Sequence, residues 1–129
     1  MADKEKIKVL VVDDEEIIRD FLSRFLSLNG VEVKAVEDGF RAVETVKEEE
    51  FDLFFIDARM PMMDGLETFI KLKNIKPNLK CVMMTGYVVD DLLQQAKKEG
   101  AILSIRKPFD ISEIEAIVET EKARKAKGL

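Results

Sequence analysis

Apolar residues gather in five short runs, at Ile7–Val12, Val31–Val36, Leu53–Ile56, Cys81–Met84 and Ala101–Ile105. Each has the length of a strand and includes β-branched residues. Longer amphipathic stretches separate them. The first, from about Glu15 to Leu28, places Ile17, Ile18, Phe21, Leu22, Phe25 and Leu26 at helical spacing and stops at Asn29-Gly30. Comparable stretches cover Gly39–Glu49, Gly65–Asn74 and Val89–Glu99, and a last one follows Asp110 with Ile111, Ile114, Ile117 and Val118 on one face. Strand then helix, five times over, predicts a parallel sheet covered by helices on both faces. The expected architecture is a flavodoxin-like, doubly wound α/β domain with strand order 2-1-3-4-5 and five helices. One domain is expected over 1–129, with a folded core at about 5–122. The tail from 123 to 129 reads as the last helix fraying, or as the start of a linker.

Composition narrows the chemistry. At 129 residues and 47% hydrophobic the chain can build one core without disulfides or structural metal. Its net charge of -5 argues against a nucleic-acid-binding face, which needs clustered positive charge. The opening "MADKEKIK" lacks a signal-peptide core, and no apolar run approaches the roughly 20 residues that span a bilayer, so a cytoplasmic location without membrane contact is expected. The one cysteine, Cys81, lies in an apolar run and reads as a buried, reduced thiol. Histidine is absent, which removes Ser/His and Cys/His hydrolase arrangements, weighs against zinc, and requires any phosphohistidine to sit on another chain.

In such a sheet every strand ends on the same edge, and ligands bind there where strand order reverses. After the first run come Asp13 and Asp14; after the third, Asp57; after the fourth, Thr85; after the fifth, Lys107. Any of these aspartates alone would pass for a helix cap or turn former, Lys107 for a solvated surface charge and Thr85 for a strand-end hydroxyl. Together they form three carboxylates, a hydroxyl and an ammonium in one pocket. That hard, oxygen-only donor set suits Mg²⁺, with Mn²⁺ able to substitute. The crowd "DDEE" then divides. Asp13 and Asp14 go to the metal, while Glu15 and Glu16 open the first helix.

The stretches "VLVVDDEE", "LFFIDARMPMMDG", "VMMTGY" and "IRKPFD" resemble, in order and spacing, the motifs of response-regulator receiver domains of two-component signalling. The resemblance implies that Asp57 is the phosphoacceptor, that Asp13, Asp14, Asp57 and the backbone carbonyl of Arg59 hold Mg²⁺, that Thr85 bonds a phosphoryl oxygen, and that Lys107 pairs with the phosphoryl group. Pro108 matches a proline that in this family follows a cis bond and helps to aim the lysine. The implied role is a timed switch: a phosphoacceptor signalling protein, not a turnover enzyme, that promotes its own phosphotransfer and slow autodephosphorylation. Implied partners are a histidine kinase or histidine phosphotransfer protein and a downstream protein target, with the domain a monomer or a phosphorylation-linked dimer.

Two departures stand out. Ser104 occupies the position, three before the lysine, where receivers carry an aromatic switch residue. Arg59 and Tyr87, at the positions that tune hydrolysis, resemble the pairing in the single-domain sporulation phosphorelay regulators and would shield a phosphoaspartate from water; the plainer reading puts both on the solvated rim. The methionines of "RMPMMDG" read as packing or an adaptable contact surface. Six apolar positions between Ile17 and Leu26 exceed one stripe, so Ile18 is expected to leave the core and, with the loop at Pro108 and Phe109, to touch a kinase's helical bundle. Competing readings are a receiver fragment of a larger transcription factor or hybrid kinase, and a pseudo-receiver that keeps the fold without phosphorylation. A haloacid-dehalogenase-like phosphatase is disfavoured because Arg59 stands where its second aspartate belongs.

Overall fold

A computed structural model describes residues 6–87, 90–101 and 103–128. Val89, in the expected fourth helix, and Ile102, in the expected fifth strand, lie outside these residues. The strands are β1 (Lys8–Val12), β2 (Glu32–Val36), β3 (Leu53–Asp57), β4 (Cys81–Thr85) and β5 (Leu103–Arg106). Alternating with them are α1 (Glu16–Leu28), α2 (Gly39–Glu48), α3 (Gly65–Ile75), α4 (Asp91–Lys98) and α5 (Ile111–Ala126). All pairings are parallel and the order is β2-β1-β3-β4-β5. The chain reverses direction across the sheet between β1 and β3, as expected for the doubly wound fold.

The period of two along each strand sorts side chains between two cores. Val9, Val11, Leu53, Phe55, Val82 and Met84 face α1 and α5, where Leu22, Leu26, Ile114 and Val118 meet them. Leu10, Val12, Phe54, Ile56, Cys81 and Met83 face α2, α3 and α4 through Ala42, Val46, Phe69, Leu72 and Ala96. The central strands are therefore apolar on both sides, and only their ends are free to carry polar groups. Four helices start at an aspartate whose side chain accepts a backbone N–H of the first turn: Asp38, Asp64, Asp90 and Asp110. α1 has no such side-chain cap at Glu15; instead Asp13, still at the strand end, accepts the Glu15 N–H at 2.9 Å.

Two expectations need correction. Ile17, 75% exposed, is the α1 residue that leaves the core, whereas Ile18 packs partly buried against it. The wide stripe fails at its outer edge, because Ile18 lies nearer the Leu22–Leu26 line. The last helix does not fray from 123: α5 stays regular to Ala126, and Lys125 ties it down by donating to Asp52 at 3.0 Å and to the Lys6 carbonyl at 2.9 Å.

Candidate functional site

The sheet's carboxyl edge collects the polar residues. Asp13 follows β1, Asp57 ends β3, Thr85 ends β4 and Lys107 follows β5. Backbone pairing continues past the strands: the Ala58 N–H donates to the Met84 carbonyl at 2.8 Å and the Lys107 N–H to the Thr85 carbonyl at 2.7 Å. These bonds set the height of each side chain. Behind Asp57 the chain turns back so closely that a Cβ on Gly65 would lie 2.2 Å from the Asp57 carbonyl oxygen, so only glycine fits there.

Lys107 is the hub of one half of the site. Its Nζ lies 2.8 Å from Asp13 Oδ2, 3.4 Å from Asp57 Oδ1 and 3.2 Å from Glu15 Oε1. Glu15, expected only as a helix opener, thus also faces the pocket. The Lys107–Pro108 peptide is cis. Carboxylate oxygens of Asp13, Asp14 and Asp57 lie within 4.8 Å of one another, the first and third buried and Asp14 exposed. Arg19 of α1 donates to the Asp13 carbonyl at 2.8 Å and fixes its backbone.

Electrostatics mark this half as charge-starved. Burial, reinforced by the charge of Asp13, raises the Asp57 pKa to about 7, while Lys107 and the Arg59 amide pull the other way. Asp13 is also raised, chiefly by burial, against the opposing pull of Lys107. Burial would lower Lys107, but its carboxylate partners outweigh that and hold it above its ordinary value. Asp13 Oδ2 is fully buried and, despite its ion-pair contact with Lys107, has no aligned hydrogen-bond donor. An orphaned carboxylate oxygen within an all-oxygen trio fits a hard divalent cation such as Mg²⁺.

The other half is organised by a residue that sequence reasoning missed. Asp90, its side chain completely buried, accepts the Thr85 hydroxyl at 2.8 Å, the Arg59 Nη2 at 2.8 Å and Nε at 3.3 Å, and the Leu92 N–H at 3.0 Å. Burial alone would raise its pKa, but the bonds from Arg59, Thr85 and Leu92 hold it below the usual carboxylate range. Thr85 Oγ1 in turn accepts the Tyr87 N–H at 3.0 Å, and the Arg59 guanidinium lies over the Tyr87 ring at 5.1 Å. Arg59 and Tyr87 do come together, but the guanidinium bonds Asp90, and no ion pair among the described residues joins it to Asp57. Ser104, half-buried, lines an open cleft of about 350 Å³ together with Thr85, Tyr87 and Leu93. In the sequence Asp90 falls inside the stretch from Val89 to Glu99 that reads as helix, whereas it is the cap before α4.

Fold and pocket together define a flavodoxin-like α/β domain with an acidic pocket at its switch point. The response regulator receiver domain family matches residues 9–119, and the chain belongs to that family. It is 36% identical over 107 residues to sporulation initiation phosphotransferase F of Bacillus subtilis (strain 168), a match covering 83% of this chain and 86% of that protein. It is 35% identical over 111 residues to the transcriptional regulatory protein ZraR of Klebsiella oxytoca, covering 86% of this chain but only 25% of ZraR. The crystal structure of a CheY-like receiver domain protein from Methanospirillum hungatei JF-1 superposes with a TM-score of 0.87 at 25% identity, covering 96% of this chain and 99% of that one. The same domain thus makes up nearly all of some relatives and a quarter of others. Among the described residues no helix is long and apolar enough to cross a membrane.

Proposed function

We propose that Asp57 accepts a phosphoryl group from a phosphohistidine on a histidine kinase or phosphotransfer protein, and that the phosphorylated domain changes its affinity for a downstream protein. The observation that carries this reading is Lys107 Nζ poised between Asp13 and Asp57, beside three converging carboxylates. A carboxylate oxygen of Asp57 attacks phosphorus as the phosphorus–imidazole nitrogen bond breaks, and Lys107 pairs with the oxygens that gain charge. Asp13, Asp14, Asp57 and the Arg59 carbonyl would hold Mg²⁺. When bound, that ion keeps Asp57 ionised and offsets phosphoryl charge. Thr85 supplies a hydroxyl to a phosphoryl oxygen once it lets go of Asp90.

Water reaches the same pocket, so the acyl phosphate returns slowly to carboxylate, with Arg59 and Tyr87 restricting access. The donor docks on the surface beside the pocket, where Ile17 is exposed and Phe21 stacks on Phe25 and Phe109, each at 6.1 Å between ring centres. Incubation with phosphoramidate and Mg²⁺ followed by intact-mass measurement tests the central step. Wild type gains one phosphoryl group and Asp57→Asn gains none; an unchanged wild-type mass refutes the reading.

A further inference from the structure

Asp90 lies five residues beyond Thr85, outside the cluster of Asp13, Asp14 and Asp57, yet it holds both Thr85 and Arg59. A threonine hydroxyl has one hydrogen to give, and here it goes to Asp90 Oδ2. Arg59 presents its Nε and Nη2 to both oxygens of the same carboxylate in a bidentate pair. Its side chain is half-exposed, so the guanidinium has room to leave, whereas Asp90 is sealed in. Asp90 is also the N-cap of α4 through the Leu92 N–H. One buried carboxylate thus joins the residue two beyond Asp57, the hydroxyl at the end of β4 and the start of a helix of eight residues.

We infer that Asp90 is a positioning residue that restrains Thr85 and Arg59 in the resting domain, and that a phosphoryl group on Asp57 competes with it for the Thr85 hydroxyl and the Arg59 guanidinium. This rests on the reading of the site above. With the phosphoryl group in place, Asp90 loses its outer donors while keeping its place at the head of α4. A buried carboxylate stripped of its partners shifts to find others, and it takes the first turn of α4 with it. The device gives the phosphorylation signal a route into α4 that needs no aromatic side chain at position 104. Tyr87 moves with it, since its backbone N–H rests on Thr85 Oγ1 and its ring lies against Arg59.

Asp90→Asn keeps an acceptor for the Leu92 N–H but removes the charge that holds Arg59. Asp90→Ser keeps a good helix cap and is too short to bridge Thr85 and Arg59. With phosphoramidate and saturating Mg²⁺, both variants phosphorylate about threefold faster than wild type and lose the group more slowly, the scale of one partly solvated ion pair released. Adding Arg59→Ala and Thr85→Ala to Asp90→Asn erases that gain, because the groups that Asp90 restrained are gone. In wild type, phosphorylation shifts the amide resonances of Asp91 to Gln94, and in Asp90→Ser those shifts shrink. Folded variants that phosphorylate at the wild-type rate, with wild-type shifts in α4, would reduce Asp90 to a helix cap and overturn the inference while leaving Asp57 as acceptor. A wild type that takes up no phosphoryl group overturns both.

Discussion

The two halves of the pocket hold their charges in opposite ways. Around Lys107, carboxylates outnumber the cation: Asp13, Asp57 and Glu15 share one ammonium, Asp57 is pushed up to about 7, and one buried oxygen lacks an aligned donor. Around Asp90, donors outnumber the carboxylate, which receives four bonds and stays ionised. The first half is incomplete without added positive charge. The second is complete and must be taken apart before its hydroxyl and guanidinium can serve elsewhere. On the proposed function, the first half needs a cation for its chemistry and the second is released only by the phosphorylated product.

Removing the hub breaks the first half most severely. Lys107→Ala should slow phosphorylation by phosphoramidate by about a hundredfold or more, the usual cost of deleting a group that stabilises transferring charge; a stopped-flow or mass-resolved time course measures it. Asp57→Asn should abolish phosphorylation but raise the stability of the metal-free domain above neutral pH. A carboxyl whose native pKa lies near 7, against 3.8 unfolded, contributes stability that is fully present below about pH 4 and is lost as pH rises through 7. The metal-free wild type should therefore weaken across that window. At pH 8 Asp57→Asn should be more stable by on the order of 2 kcal/mol in urea titrations. Added Mg²⁺ should narrow the gap by stabilising the wild type, by about 1.4 kcal/mol when the ion is at ten times its dissociation constant.

Smaller effects come from the second half. Arg59→Ala and Tyr87→Ala should each speed release of phosphate from the phosphorylated domain, by about threefold for one partly exposed partner; two unchanged rates would put both residues on the solvated rim. Smallest of all, Ile17→Ala on the exposed edge of α1 should leave the melting temperature within about a degree, in keeping with a surface substitution. Phosphotransfer from the donor protein should fall while phosphorylation by phosphoramidate stays intact. Equal losses with both donors would remove α1 from the docking surface.

The first half of the pocket was legible in the sequence, and so were Thr85, Arg59 and Tyr87 of the second, but Asp90, the carboxylate that joins them, was not, for a physical reason. Asp13, Asp57 and Lys107 follow apolar runs directly, and parallel strands must end on one edge, so linear position alone brings them together. Asp90 is placed by the entry to α4, where an aspartate is an ordinary cap, and only the folded chain shows its free edge turned inward onto Thr85 and Arg59. Glu15 does open α1 as read, but a helix-opening acid gives no sign that Lys107 also lies within reach. The strands and helices themselves were plain because both cores repeat the periods of two and near four along the chain. Ile17 and Ile18 fell on the edge of a stripe, where a neighbour differs by 100° in direction and pattern cannot choose between them.

Cys81 sits in the second strand from the sheet's β5 edge, wholly buried, its thiol pushed well above the ordinary range by that burial. It is the one cysteine in the chain, so a thiol reagent can report only when the sheet itself opens. The labelling rate at Cys81 is a built-in clock for global unfolding. Run with and without Mg²⁺ or a phosphoryl donor, it times how firmly each state of the pocket holds the fold closed, with no reporter added.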